Sequence, residues 1–414
     1  MEHGLDTEVI AVFAAAVVLW SLASATLDRL SITPALAFVA IGLVVANPPL
    51  SLVEIDVASE TVRSLAEVAL ALVLFTDAAG VDVRRLRADA RVPIRLLLVG
   101  LPLTIATGFG LSLALFPDLD PWVCAVIAAA VAPTDAALGR PLMVDRRIPA
   151  RVRRELNVES GLNDGLVTPV VTFLIAGAVA GVGSQEELSP GSALLDIAVG
   201  VLVGVGLGLA VGTALRLGRR SGVTAGAEGL AVVALALLTY ATAVTAGANG
   251  FVAAFVGGLA FGAARRSAGE ALAFSSESGE LLAIVVWFVF GAIAVPVLDG
   301  AGWSVAAFAV LAVTAGRIVP VAIALTGTGL GRWTVLFLGW FGPRGLASVV
   351  FGLIAFDELA EGDTRTTMLA AVIATVLLSV AAHGVTAKPL AGRYAAHLRR
   401  SHPGLGGDRS PAVS

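Results

Sequence analysis

Apolar stretches long enough to cross a membrane recur along almost the whole chain. A helix needs about 20 such residues to span the hydrocarbon core of a bilayer. A scan with that window separates thirteen stretches, at residues 8–27, 33–48, 62–79, 93–116, 121–139, 155–181, 191–215, 222–245, 248–264, 277–298, 302–326, 332–356 and 366–391. The pattern predicts an all-α polytopic membrane protein with about thirteen transmembrane helices.

The composition supports this class and excludes two others. Apolar residues make up 57% of the 414 positions and charged residues 14%, whereas soluble domains have about 45–50% and about 25%. A soluble enzyme of this length would need more surface charge, and a disordered chain would be more polar. The single cysteine, Cys124, excludes a disulfide framework and a paired-cysteine metal site.

The connections between spans alternate between basic and acidic composition. Of the 27 basic residues, 23 fall on one side of the membrane, Arg63 and Arg365 fall on the other, and two lie inside spans. Because basic connections stay in the cytoplasm, the N-terminus is predicted outside and the C-terminus inside. Asp77, which ends the third span, is expected to face the arginine-rich connection that follows it.

The fifth span carries a proline and an aspartate in the sequence Val131-Ala132-Pro133-Thr134-Asp135. Proline removes a backbone donor and disfavours helical geometry just before it, so the helix is predicted to unwind there. A carboxylate inside the membrane costs about 2.5–3.5 kcal/mol, and irregular backbone at that depth lines a cavity. Freed carbonyls beside Asp135 therefore favour a cation site. The alternative is a proline kink with a solvated aspartate at a helix end.

Two columns of polar side chains run along the sixth span. Residues four apart share a helix face, and the columns are Glu159 with Asn163 and Ser160 with Asp164. Ser160 and Asp164 of the second column could meet Thr134 and Asp135 of the fifth span. The oxygens of these four residues would then surround one ion. Oxygen ligands suit a hard cation, and two carboxylates at most suit a monovalent one. The alternative is a structural polar network between helices.

Two arginines also lie inside predicted spans. Arg317 is in the eleventh span, and Arg344 lies within Gly342-Pro343-Arg344-Gly345, a break in the twelfth. Each is expected to have an acidic partner, and Glu159 is the best candidate for a buried pair with Arg317. The fifth and sixth spans contribute three acidic side chains, and the two arginines offset two of these charges. One net negative charge is left inside the membrane. One proton or one monovalent cation would neutralise it.

The fifth and twelfth spans are broken at corresponding places in the two halves of the chain. Such a pair indicates a transporter built from two inverted-topology repeats, with its site near the membrane midplane. The ordered motifs resemble the cation/proton antiporter superfamily, and specifically its electroneutral NhaP-like branch, over nearly the whole chain. The resemblance rests on Thr134-Asp135, on Glu159-Ser160-x-x-Asn163-Asp164, on Arg317 and on Gly342-Pro343-Arg344-Gly345.

The resemblance implies a role for each of these residues. Asp164 would carry the transported ion and proton, and Asp135, Ser160 and the backbone carbonyl of Thr134 would complete the shell of a sodium ion. The supporting residues would be Asn163, the Glu159–Arg317 pair and Arg344, the last near the crossing of the two broken helices. Ala136 stands where family members commonly have proline, and Pro133 is expected to break the helix instead.

The resemblance also implies an assembly and a location. Core helices at about 93–181 and 302–391 would move against dimerisation helices at about 8–79 and 191–298. Residues 392–414 would form a short cytoplasmic tail. A homodimer in a prokaryotic inner membrane, in contact with lipids and without cofactor or nucleic acid, is expected.

The predicted function is electroneutral exchange of Na⁺ or Li⁺ for H⁺ by alternating access, with cation and proton competing for Asp164 and Asp135. Such a carrier is not an enzyme. Ligand type does not fix ion size, so a K⁺/H⁺ antiporter of the same fold is an alternative. A cation channel is another, and an intramembrane protease with an Asp135–Asp164 dyad is a third, although the arginines and Asn163 have no role in that chemistry.

Overall fold

The computed structural model describes residues 7–30, 32–81, 91–135, 137–143, 145–183, 190–218, 222, 224–265 and 269–401. Within these ranges every regular element is a helix. Eight of the described helices are long and apolar enough to cross a membrane, and three further apolar helices are shorter. The predicted all-α membrane architecture is confirmed, whereas the number of thirteen crossings stays a prediction.

The twelfth predicted span holds a pair of helices, and the fifth holds α5 followed by a non-helical segment. The remaining spans are single elements, of which α4 contains a π-helical turn at Leu96–Gly100 and α12 is interrupted at Thr314. The helices are α1 (Thr7–Leu30), α2 (Pro34–Ala46), α3 (Glu60–Gly80), α4 (Arg91–Leu115), α5 (Pro121–Ala130), α6 (Arg140–Met143), α7 (Ala150–Gly183), α8 (Pro190–Gly218), α9 (Ala225–Thr245), α10 (Gly250–Ala264), α11 (Gly269–Leu298), α12 (Trp303–Ala324), α13 (Arg332–Trp340), α14 (Leu346–Glu358) and α15 (Asp363–Ser401).

The helices pack in two groups. Helices α2, α3 and α8 to α11 form one group, and helices α4, α5, α7 and α12 to α15 form the other. The groups meet where α3 packs against α7 and α14, where α10 packs against α7, and where α11 packs against α14 and α15. The assignment of one group to transport and the other to dimerisation stays a prediction.

An ion-pair cluster joins the two groups at the end of α14. Arg63 of α3 contacts Glu67 at 2.9 Å, Glu358 at 2.9 Å and Asp357. Tyr240 of α9 donates its hydroxyl to the other carboxylate oxygen of Glu67 at 2.7 Å. The cluster therefore ties α3 and α9 to the C-terminal end of α14.

The last helix is longer than the hydropathy pattern indicated. Helix α15 runs to Ser401, so residues 392–401 continue it beyond the predicted boundary at 391. Phe337 of α13 stacks on Tyr394 with ring centroids 4.4 Å apart, and Thr334 contacts the same tyrosine hydroxyl at 2.9 Å. This packing against α13 accounts for the extension. Residues 402–414, the rest of the predicted tail, lie outside the described residues.

Candidate ion-binding site

Two unwound, buried segments cross in the second helix group. After α5 the backbone is non-helical at residues 131–135, and between α13 and α14 it is non-helical at residues 341–345. The backbone N–H of Asp135 donates to the carbonyl of Pro343 at 2.7 Å, so the two breaks are bonded directly to each other. Pro133 and Pro343 explain why the helices end here, because neither residue offers the N–H that helix continuation needs.

Each break places its charged residue against a helix end of the other break: Arg344 lies at the C-terminus of α5, and Asp135 lies at the N-terminus of α14. Arg344 donates from Nη1 to the carbonyls of Ala132 at 2.7 Å and Pro133 at 3.4 Å, just beyond the C-terminus of α5. Asp135 accepts the N–H of Leu346, the first residue of α14, at 3.1 Å through Oδ2. Helix C-termini carry partial negative charge and N-termini partial positive charge. Both half-helix ends are therefore compensated within the crossing.

Arg344 differs from its expected pairing. Sequence reasoning gave each buried arginine an acidic partner, but the described hydrogen bonds of the Arg344 side chain all go to backbone carbonyls, the third being Ala312 at 3.4 Å. The carbonyl dipoles at the end of α5 supply the negative potential instead of a carboxylate. Arg317, by contrast, donates to Glu159 at 2.5 Å, with 1% and 3% of the two side chains exposed.

The polar columns of α7 face the first break. Asn163 donates from Nδ2 to the hydroxyl oxygen of Thr134 at 2.6 Å, and the same oxygen lies 3.2 Å from Oγ of Ser160. All three residues are buried. The structure thus brings together one residue of the unwound segment and one residue from each predicted column.

Asp164 is a buried carboxyl group with an unpartnered oxygen. Its residue is 9% exposed, and its Oδ1 has no hydrogen-bond partner within the described part of the chain. A buried carboxylate without a partner is costly, so this oxygen is available to a proton, a cation or a water molecule. The site offers hydroxyl and carboxyl oxygens of the kind that hard cations prefer, and these residues fit a small monovalent ion.

A third aspartate, Asp77, lies on a helix that packs against α7. It is an exposed residue in the last turn of α3, and α3 contacts both α7 and α14. Residues 82–90, the basic connection that Asp77 was expected to face, lie outside the described residues. Its position three residues before the end of α3, just after the apolar run 68–75, was the available signal. Among the described residues, no group of three His, Cys, Asp or Glu side chains is placed so that it could hold a metal ion.

Two glycines allow the crossing to close. A β-carbon at Gly345 would lie 2.0 Å from the β-carbon of Asp135 and 2.1 Å from its Oδ2. A β-carbon at Gly342 would lie 2.5 Å from Nε of Arg317. Side chains are therefore excluded at both positions by lack of space. The sequence pattern Gly-Pro-Arg-Gly reflects the close approach of two backbones and of one buried guanidinium group.

Comparison with known proteins agrees with this architecture. The model of a family described as "Sodium/hydrogen exchanger, transmembrane" matches residues 12–393. A structure of the sodium proton antiporter MjNhaP1 from Methanocaldococcus jannaschii at pH 8 superposes with a TM-score of 0.77 and 20% identity, covering 93% of this chain and 98% of that one. An electron-microscopy structure of the same antiporter gives a TM-score of 0.72 and 18% identity, covering 93% and 97%.

The family match spans most of the chain, and the structural matches show a shared fold. The two crossing breaks and the intramembrane carboxylates lie inside the matched range. The resemblance inferred from the motifs is thus confirmed for family and fold. The chain belongs to the sodium/hydrogen exchanger family of membrane transporters.

Proposed function

We propose that this protein exchanges Na⁺ or Li⁺ for H⁺ electroneutrally, by alternating access. The observation that carries the proposal is the charge balance of the buried groups. Glu159 is paired with Arg317, and Asp135 and Arg344 each offset a half-helix end. Asp164 is left with an unpartnered carboxyl oxygen, which a proton or a monovalent cation can neutralise.

Competition for this carboxylate produces exchange. A proton bound to Asp164 and a cation bound among Asp164, Asp135, Ser160 and Thr134 both remove the surplus charge, so both loaded forms can cross. The empty, charged form resists crossing because a charge in a low-dielectric environment is costly. Asn163, bonded to Thr134, keeps the hydroxyl beside the site. One cation is therefore exchanged for one proton.

The structural neighbours support the ion assignment by their name, since both structures are of a sodium proton antiporter. The two helix groups supply a surface along which one part of the molecule can shift against the other. We assign the Arg-rich connections to the cytoplasm of a prokaryotic cell, by the positive-inside rule. A homodimer is part of the proposal, and the exposed apolar side chains of α1, among them Val18, Leu19 and Leu22, are available to lipid or to a second copy.

The direct test is ion-driven proton movement in everted membrane vesicles that contain the protein. After respiration has acidified the interior, Na⁺ or Li⁺ added outside should dissipate the pH gradient, and K⁺ or Ca²⁺ should not. Dissipation by K⁺ but not by Na⁺ would favour the K⁺/H⁺ alternative. No response to any of these ions, with the protein shown to be present, would contradict the proposal.

Exchange should be insensitive to membrane voltage, because a one-to-one exchange of monovalent ions moves no net charge. We expect the initial rate of ²²Na⁺ uptake into proteoliposomes to be the same at 0 mV and at an imposed potential of about −100 mV, at which each moved charge would gain about 2.3 kcal/mol. The pH must be equal on both sides and buffered strongly. Two protons leaving per entering cation would move one net positive charge outward, so uptake that falls clearly at this interior-negative potential would indicate that stoichiometry.

Substitution of Gly345 by alanine should impair transport without preventing insertion. The added β-carbon would lie 2.0 Å from that of Asp135, so the carboxylate has to move from the N-terminus of α14. We expect sodium-driven proton movement in vesicles to fall by about tenfold or more. Gly161→Ala in α7 is the matched control, because a β-carbon there meets nothing within 4 Å. Equal rates in the two variants would contradict the argument.

A further inference from the structure

A histidine on α15 contacts the second break, and the proposed mechanism does not use it. His383 is 3% exposed and lies beside the segment between α13 and α14. Its Nε2 is 2.7 Å from the carbonyl oxygen of Trp340, the last residue of α13. Its Nδ1 is 3.1 Å from Oγ and 2.7 Å from the carbonyl oxygen of Ser379, one turn earlier on α15.

Ser379 extends this contact to the middle of the break. Its Oγ accepts the backbone N–H of Arg344 at 2.7 Å, and the residue is fully buried. The carbonyl of Trp340 also accepts the N–H of Gly342 at 2.9 Å, which uses its second lone pair. Buried backbone groups outside a helix have to be paired. His383 and Ser379 thus serve as partners for one carbonyl and one N–H of the unwound segment.

The bond from His383 to Trp340 forms whenever Nε2 carries a hydrogen. A carbonyl oxygen only accepts, so Nε2 donates to it in the charged ring and in the neutral tautomer that carries its hydrogen on Nε2. Nδ1 has two neighbours of different kinds. When protonated it can donate to the carbonyl of Ser379, and when unprotonated it can accept the Ser379 hydroxyl hydrogen.

We infer that His383, together with Ser379, is a positioning residue that fixes the break in the twelfth span and, through Arg344, the break in the fifth. The connection is continuous. The backbone of Arg344 is held by Ser379, and its guanidinium group holds the carbonyls of Ala132 and Pro133. This inference rests on the proposed function only for its effect on transport, since the geometric effect can be measured separately.

The geometric effect is tested by hydrogen–deuterium exchange and mass spectrometry on the full-length protein in detergent. In His383→Leu the carbonyl of Trp340 loses its side-chain donor, and we expect the amides of residues 341–346 and 131–138 to exchange about tenfold faster. Ser379→Ala should have the same effect on residues 341–346, because the Arg344 N–H loses its acceptor. Unchanged exchange in both variants would overturn the inference, whatever the transport assays show.

His383→Gln separates positioning from titration. The glutamine amide can donate to Trp340 at every pH but cannot take up a proton. We expect it to keep slow amide exchange at 341–346, at least half the wild-type rate of sodium-driven proton movement and the wild-type pH profile. His383→Leu should lose about tenfold in rate and gain a higher apparent KM for Na⁺. A changed pH profile in His383→Gln would assign His383 a titrating role and overturn the inference.

Thr386→Val is the matched control on the same helix. Thr386 accepts the indole N–H of Trp340 at 3.0 Å, so this variant removes a bond to the side chain of Trp340 and leaves the backbone break untouched. Its amide exchange at 341–346 should match wild type, and an equal increase there would mean that general docking of Trp340 is the cause. If the wild-type protein transports no cation but the variants still differ from it in amide hydrogen–deuterium exchange, the proposed function fails and the positioning role stands.

Discussion

Asp164→Asn is expected to abolish sodium-driven proton movement. Asparagine has a similar shape, but it can neither take up a proton nor carry the charge that attracts a cation. Rates in everted vesicles should fall to those of vesicles without the protein. The same variant should unfold at an equal or higher temperature than wild type in detergent, because it removes a buried charge whose Oδ1 has no partner. The stabilisation of the wild-type protein by added Na⁺ should be lost as well.

Asp196→Asn is the control for this experiment. Asp196 is exposed on α8, outside the crossing helices, so neutralising it should leave the rate and the sodium-dependent stabilisation unchanged. Exchange at the wild-type rate in Asp164→Asn would refute the assignment of Asp164 as the competition site. Loss of transport in both variants would indicate a general effect of removing negative charge.

The largest effect on stability is expected from Arg317→Met. Arg317 and Glu159 are almost completely buried and only 2.5 Å apart. Removing the cation leaves Glu159 as an uncompensated buried charge, and such changes cost about 3–5 kcal/mol. The melting temperature in detergent, followed by intrinsic tryptophan fluorescence, should fall accordingly. Transport should be lost as well, because Arg317 also fills the space beside Gly342.

A double variant tests the physical reason. Glu159→Leu combined with Arg317→Met replaces the pair by apolar side chains and should regain much of the stability that Arg317→Met loses. Arg147→Met removes an arginine whose side chain is 52% exposed and paired with Asp145 at 2.7 Å, and should cost less than about 1 kcal/mol. If the double variant were no more stable than the single one, packing of Arg317 rather than charge would explain the loss.

The parts of the fold that depend on neighbours along the chain were predictable. Hydropathy located the long apolar helices, and the prolines at 133 and 343 marked the two places where helices end inside the membrane. The four-residue spacing of Glu159 with Asn163 placed both on one face of α7, which the structure shows as a continuous helix. These features follow from backbone geometry and from the cost of placing polar groups in lipid.

Contacts between distant segments were harder to predict. Arg344 bonds to Ala132, 212 positions away, and a single sequence does not show that helix-end carbonyls can take the place of a carboxylate. Asp77 is expected from composition to face the basic connection after α3, and the packing of that helix against α7 and α14 is not visible in a single sequence. The bonds of His383 to the second break depend on how α15 lies against α13. In each case the partner is set by tertiary packing, and the hydropathy of a segment gives no information on which other segment it contacts.

The bonds within the crossing have a mechanical consequence. Separating the two unwound segments would break the hydrogen bonds of the Asp135 N–H, the α14 N-terminus and the Ala132 carbonyl at the same time. Inside a membrane, each polar backbone group left without a partner costs several kcal/mol of free energy. Sliding both segments together past α3 breaks none of these bonds. The crossing should therefore travel as one rigid block, and the attachment of Arg63 to the far end of α14 is one connection that such a displacement must release.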